Sequence, residues 1–165
     1  MDVDGTLTDG TITYGPAGSE WKSFHARDGM GVALLRHAGI VPAIVTGRSS
    51  DIVERRAKEL GIHDVVQGAK DKAAEVRALA QRHGLALDAV AYAGDDLSDL
   101  APMRLAAFSA APADAAPEVR QAATFVATAP GGRGAVREAV EALLRREGTW
   151  ERALAACVGG GGASS

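Results

Sequence analysis

Short apolar runs alternate with amphipathic stretches along most of this chain, and that alternation is what most narrows its possible folds. Val41–Thr46, Asp64–Gln67, Val90–Gly94, Ala107–Ala110 and Thr124–Ala127 read as short buried strands. Gly29–His37, Asp51–Leu60, Asp71–His83 and Ala135–Arg146 read as helices between and after them. Strands separated by helix-length crossovers pair in parallel, so the expected class is α/β, a Rossmann-like parallel sheet flanked by helices. Ser50 or Asp51 is placed to cap the second helix, and Gly61 stands where a left-handed residue closes one. In the last long helix Val136, Val140, Leu143 and Leu144 share one face. The 165 residues suit one domain, expected over 1–157, with 158–165 as a flexible Gly/Ser-rich tail.

Two places break the pattern. Between Asp9 and Asp28, β-forming residues flank Gly15-Pro-Ala-Gly, which predicts a hairpin over 11–24 projecting beside the first acidic loop. At the front only Met1 precedes that loop, whereas a buried strand should bring roughly 4–6 apolar residues. The expectation is a first strand truncated here, with the natural chain starting upstream.

Composition removes several function classes. A net charge of −3 without a basic stripe gives no footprint for nucleic acid. No apolar run reaches the roughly 18–20 residues of a membrane span. Acidic residues among the first ten positions read against a signal peptide. A single cysteine, Cys157, has no internal disulfide partner, and the expected location is the cytoplasm.

Four polar clusters fall at the ends of expected strands, where open α/β sheets bind ligands. They are Asp2-Val-Asp4-Gly-Thr6, Thr46-Gly47-Arg48, Lys72 and Gly94-Asp95-Asp96-Leu-Ser-Asp99. Converging carboxylates repel unless a cation lies among them, and an oxygen-only donor set suits Mg²⁺. A carboxylate can attack phosphorus and split hydrolysis into two steps. Asp4, two residues after Asp2, is placed to donate and then take back a proton. Thr46 and Lys72 supply a hydroxyl and an ammonium for phosphoryl oxygens.

These clusters resemble the four motifs of the haloacid dehalogenase superfamily of phosphatases. Longer strings resemble one family in it, the 3-deoxy-D-manno-octulosonate 8-phosphate (KDO 8-phosphate) phosphatases. They are Asp2-Val-Asp-Gly-Thr-Leu-Thr-Asp-Gly, Lys22-Ser-Phe-His-Ala-Arg-Asp-Gly-Met-Gly, Val45-Thr-Gly-Arg-Ser-Ser, Leu60-Gly-Ile, Gln67-Gly and Gly131-Gly-Arg-Gly-Ala-Val-Arg-Glu. Thr6 departs from the hydrophobic residue usual there. The resemblance implies a Mg²⁺-dependent phosphatase of lipopolysaccharide sugar synthesis, with Asp2 as nucleophile and Asp4 as acid/base. It implies metal ligands Asp2, Asp4 (by its carbonyl) and Asp95, phosphate binding by Thr46 and Lys72, and supporting roles for Gly47, Asp96 and Asp99. Arg27, Arg48 and Arg56 would meet the sugar acid's carboxylate, since arginine suits bidentate carboxylate recognition. It also implies a HAD-like fold without a large cap domain, the hairpin acting as flap, and a homotetramer.

Other readings stay open. A signalling receiver domain also surrounds a phospho-accepting Asp with Mg²⁺, Thr and Lys, but it would carry that Asp after the third strand. Here that strand ends in Gln67-Gly68 with no Asp before Asp71. A phosphatase-like partner of a sugar-acid cytidylyltransferase and a phosphatase of nine-carbon sugar acid 9-phosphates are nearer rivals. In relatives of the latter type an acidic residue stands at the position of Arg48. His25 is a lesser candidate for substrate contact, and Tyr14 and Trp21 are expected to pack across the hairpin.

Overall fold

The computed structural model describes residues 1–159. The hairpin comes first, β1 (Thr13–Tyr14) pairing antiparallel with β2 (Glu20–Trp21) around Pro16–Gly18. Then follow α1 (Ala26–His37), β3 (Ala43–Val45), α2 (Asp51–Leu60), β4 (Asp64–Val66) and α3 (Lys72–Arg82). The second half holds β5 (Ala91–Ala93), α4 (Leu100–Leu105), β6 (Phe108–Ala111), α5 (Pro117–Ala122), β7 (Phe125–Val126), α6 (Ala135–Arg146) and α7 (Trp150–Gly159). All five expected strands and all four expected helices are present, with strand ends shifted by no more than two residues.

β3 pairs in parallel with β4, and β5 with β6 and β6 with β7. The first residues join these two ladders. The Met1 amine donates to Ala43 O at 2.9 Å, Val45 N–H donates to Met1 O at 3.0 Å, and Asp2 N–H donates to Ala93 O at 2.9 Å. Met1 and Asp2 thus do the work of a central strand and lead directly into the first acidic loop. From Met1 an apolar slot of about 400 Å³ continues between the β3 and β5 sides, lined by Val41, Ala43, Val90 and Ala91 among others. Desolvation in this setting pushes the Met1 amine down to about 6.

Helices cover both faces of the sheet. Val32, Leu34 and Leu35 of α1, Val53 and Ala57 of α2, Val136, Val140 and Leu144 of α6 and Ala153 of α7 form one core with Val3 and Ile44. Val76 of α3, Met103 of α4 and Val119 of α5 pack with Val45 and Tyr92 on the other. The face expected on α6 is the one buried, although Leu143 is only partly covered. Gly61 closes α2 at φ +66°, as expected. Ser50 caps α2 through its backbone position, without a side-chain bond.

Three helices were not expected. α4 and α5 are six residues each and carry Pro102 and Pro117, so packing rather than intrinsic propensity holds them. α7 carries Ala153, Leu154, Ala155 and Ala156, all good helix formers, and the glycines after it mask that signal. Val158 and Gly159 end this helix instead of opening the expected tail, whose remaining residues lie outside the described ones. Tyr14 and Trp21 do not pack across the hairpin as expected: they are 71% and 64% exposed. Between the first loop and α1 only this hairpin stands over the sheet, and no large cap is present among the described residues.

Candidate active site

The first loop is wound around one acceptor. The Val3 carbonyl receives the N–H groups of Thr6, Leu7 and Thr8 at 3.2, 2.9 and 3.0 Å. Gly5 makes this winding possible, for its φ of +88° is disfavoured for other residues and a Cβ there would meet Asp95 Oδ2 at 2.0 Å. The turn puts Asp2 and Asp4 on one cleft of about 680 Å³, which Thr46, Gly47, Arg48, Lys72, Asp95 and Asp96 also line. Thr46 lies just past β3, its N–H bonded to Val66 O at 2.9 Å. Lys72 is the first residue of α3, set in place by Asp71, whose side chain caps the helix through Ala74 N–H.

Lys72 Nζ donates to Asp2 Oδ2 at 2.8 Å and to Asp99 Oδ1 at 2.7 Å, both within the buried interior. Burial works against the ammonium, but the two carboxylates outweigh it and hold Lys72 above its ordinary value. Asp99 is fully buried and saturated. Its Oδ1 also accepts from Tyr92 Oη at 2.8 Å, and its Oδ2 accepts from the N–H groups of Asp95 and Asp96 at 3.1 and 3.2 Å. Asp99 therefore orients Lys72 and the Asp95–Asp96 turn. Burial, with the Asp99 charge next in weight, raises the Asp2 carboxyl, and the Tyr92 phenol is raised as well, first by burial.

Carboxylate oxygens of Asp2, Asp95 and Asp99 lie within 4.8 Å of one another. With Asp99 occupied by four donors, the free oxygens are on the other two. Asp2 Oδ1 is buried without a hydrogen-bond partner. The Thr6 hydroxyl donates to Asp95 Oδ1 at 2.9 Å, leaving Asp95 Oδ2. The Asp4 carbonyl, in the same loop as Asp2, accepts no hydrogen bond among the described residues. Burial, reinforced by the Asp2 and Asp99 charges, pushes the Asp95 carboxyl up to about 7. Oxygen-only donors, an orphaned buried oxygen and carboxylates short of positive charge fit a hard divalent cation such as Mg²⁺.

A second group of charges faces Asp4 from the hairpin. Lys22 Nζ lies 2.5 Å from Asp4 Oδ1 and 3.6 Å from Glu20 Oε1. Arg48 reaches Glu20 Oε1 at 2.9 Å and Asp4 Oδ2 at 3.6 Å. The Arg48 hydrogen bond holds the Glu20 carboxyl below the usual carboxylate range. Neither Lys22 nor Glu20 was singled out as a site residue. The available signal was their placement one residue either side of Trp21, which sends both side chains to the hairpin's inner face. Tyr92 was missed too, because its role appears only when β5 is laid over Asp99.

The arginines divide. Arg48 lines the cleft, whereas Arg27 and Arg56 do not. Arg27 is exposed in the first turn of α1. Arg56 lies 3.2 Å from Glu59 and over the Phe24 ring at 5.6 Å, outside this chain's own cleft. His25 caps α1 by accepting from Arg27 N–H at 3.3 Å, which accounts for it without a substrate.

The loop before α6 braces the catalytic loop. Gly132 N–H donates to Thr6 O at 3.0 Å and Gly131 N–H to Asp114 Oδ1 at 2.9 Å. Buried Asp28 of α1 accepts from Gly134 and Arg137 N–H at 3.1 and 2.9 Å, tying the start of α6 to α1.

Comparison with known proteins places these features in a family. The haloacid dehalogenase-like hydrolase model matches residues 58–136. The 3-deoxy-D-manno-octulosonate 8-phosphate phosphatase KdsC of Escherichia coli (strain K12) is 41% identical over 153 residues, 93% of this chain and 81% of the relative. Among solved structures, the Moraxella catarrhalis phosphatase of the same substrate, in complex with magnesium, phosphate and KDO, superposes with a TM-score of 0.90. It is 42% identical, over 94% of this chain and 89% of that one. The cobalt-bound Haemophilus influenzae enzyme gives a TM-score of 0.86 at 39% identity, over 90% and 87% of the two chains.

Proposed function

The chain belongs to the KDO 8-phosphate phosphatase family of haloacid dehalogenase-like hydrolases, and we propose that it hydrolyses KDO 8-phosphate to KDO and phosphate with Mg²⁺. The observation that carries the reading is the assembly of Asp2, Asp4, Thr46, Lys72 and Asp95 around one cleft with Asp2 Oδ1 unpartnered.

In the proposed reaction an Asp2 carboxylate oxygen attacks phosphorus, and the bond from phosphorus to the sugar oxygen breaks. Asp4 gives its proton to the departing oxygen. Water then attacks the aspartyl-phosphate, Asp4 takes the water's proton, and Asp2 leaves as the carboxylate. Lys72 has three N–H donors, of which Asp2 and Asp99 use two, so one is left for a phosphoryl oxygen beside the Thr46 hydroxyl. Asp2, Asp95 and the Asp4 carbonyl would hold the Mg²⁺, whose charge offsets that of the carboxylates and the phosphoryl group. Gly47 lets the phosphate approach, while Asp96 and Asp99 shape the turn that carries Asp95.

Arg48 favours a carboxylate-bearing substrate and, on the family pattern, eight carbons over nine. A cytosolic homotetramer is part of the same proposal. Exposed Ile12, Tyr14 and Trp21 on the hairpin support an assembly that covers them. No helix among the described residues is long and apolar enough to cross a membrane. The test is steady-state hydrolysis with Mg²⁺. The 8-phosphate should exceed nine-carbon 9-phosphates in kcat/KM, and Asp4→Asn should abolish turnover. Equal or reversed preference would defeat the substrate assignment, and an active Asp4→Asn would defeat the mechanism.

A further inference from the structure

The two carboxylates offered to a cation in this cleft each have one oxygen taken by a buried donor. Lys72 Nζ donates to Asp2 Oδ2 at 2.8 Å, and the Thr6 hydroxyl donates to Asp95 Oδ1 at 2.9 Å. The first contact belongs to the phosphoryl machinery, since Lys72 also faces the phosphate in the proposed reaction. The second has no such duty. Thr6 is 1% exposed and is not among the residues that line the cleft. Its hydroxyl donates to no other group among the described residues.

Both partners of that bond are held by their backbones. Thr6 N–H donates to Val3 O at 3.2 Å, and Thr6 O accepts from Gly132 N–H at 3.0 Å. Asp95 N–H donates to Asp99 Oδ2 at 3.1 Å, and Asp95 O accepts from Ala116 N–H at 2.8 Å. The Asp95 carboxylate also packs on Gly5, where an added Cβ would stand 2.0 Å from Oδ2 and 2.8 Å from Oδ1. Oδ1 is thus fixed on Thr6 while Oδ2 stays without a hydrogen-bond donor among the described residues.

This allocation bears on which cation fits. The oxygens left to a cation are Asp2 Oδ1, Asp95 Oδ2 and the Asp4 carbonyl. Mg²⁺ demands an octahedron and keeps several of its waters, so a short protein donor set suits it. Ca²⁺ takes roughly 6–8 oxygens in a looser shell and gains from carboxylates that give both of theirs.

We propose that Thr6 is a metal-selectivity residue: its hydroxyl holds Asp95 Oδ1, limits Asp95 to one oxygen for the cation, and so favours Mg²⁺ over Ca²⁺. Thr6 touches neither the cation nor the substrate. It is a positioning residue that acts through Asp95. The proposal rests on the divalent-cation reading of Asp2, Asp4 and Asp95 above.

The test is calorimetric titration of the full chain, without substrate and at one pH, with magnesium chloride and with calcium chloride. Wild type is compared with Thr6→Val, which keeps the side chain's shape and removes the hydroxyl. The ratio of the Ca²⁺ Kd to the Mg²⁺ Kd should fall about tenfold, the low end of the loss seen when an outer partner of a metal ligand is removed. Both cations carry the same charge, so a general change in the charge or firmness of the site cancels in the ratio. Thr6→Ser, which retains the hydroxyl, should retain the wild-type ratio. Thr6→Ala takes the place of Thr6→Val should the latter fail to melt cooperatively. A folded Thr6→Val that binds both cations more weakly by the same factor, or binds both as before, overturns the proposal and leaves Thr6 as a support of the loop. A wild type that binds Mg²⁺ no better than Ca²⁺ overturns it too, with the cation site intact. A wild type that binds neither overturns the cation reading as well.

Discussion

Gly131→Ala tests whether the loop before α6 sets the position of the catalytic loop. A Cβ on Gly131 would stand 1.8 Å from Gly5 O, 2.7 Å from Gly5 C and 3.0 Å from Thr8 O, all of them backbone atoms. No side chain can rotate to relieve this. Opening the first contact to the roughly 3.3 Å of a close carbon–oxygen approach requires the two backbones to part by about 1.5 Å. Gly131 and Gly132 are tied to Asp114 and Thr6, so the strain passes into the loop holding Asp4. Overpacking of this kind costs about 1–3 kcal/mol, or roughly 2–12 °C in Tm at this size. A misplacement near 1 Å costs about a hundredfold in rate. The expected result is therefore a folded protein with a modestly lower melt and kcat/KM reduced about a hundredfold. Gly39→Ala is the control. Its φ is also positive, at +80°, but nothing lies within 4 Å of the added carbon, so it should lose stability without losing activity. Near wild-type kcat/KM in Gly131→Ala would refute the bracing role.

Two further predictions concern the charges. Asp95 is raised from 3.8 to about 7 by burial and by Asp2 and Asp99, so between about pH 4 and 7 the folded metal-free protein keeps a proton that the unfolded chain has lost. Raising pH through that window removes this stability, and the metal-free Tm should fall from pH 5 to 8 on this account. Saturating Mg²⁺, worth about 2.7 kcal/mol at a hundred times Kd, should raise Tm more at pH 8 than at pH 5.5, and equal shifts would sink the assignment. Lys72→Met leaves buried Asp2 and Asp99 without their cation. Urea unfolding should show a loss of about 3–5 kcal/mol together with lost turnover, and unchanged stability would contradict the buried network.

Much of the site was readable because its residues follow strand ends directly. Thr46 comes one residue after β3, and Asp95 two after β5, so a correct strand assignment carries the side chain with it. Asp2 and Asp4 share a loop whose shape needs one glycine. The boundaries of α2 and α6 were legible because apolar spacing and, for α2, a closing glycine agree. What escaped depends on contacts between distant segments. Lys22 meets Asp4 only once the hairpin folds back over the loop, and Gly131 meets Gly5 across most of the chain. Arg56 lies beside the Phe24 ring, a contact that the spacing of residues along α2 does not announce.

The distribution of donors among the acidic residues explains how such a cluster survives burial and also selects the reactive oxygens. Four donors satisfy Asp99, which is the fixed point from which Lys72 is aimed. Lys72 in turn covers one oxygen of Asp2, and Thr6 covers one of Asp95. The oxygens left over, Asp2 Oδ1 and Asp95 Oδ2, are those that a Mg²⁺ would share. The same allocation on the hairpin side leaves Arg48 as the exposed cation, partly occupied by Glu20.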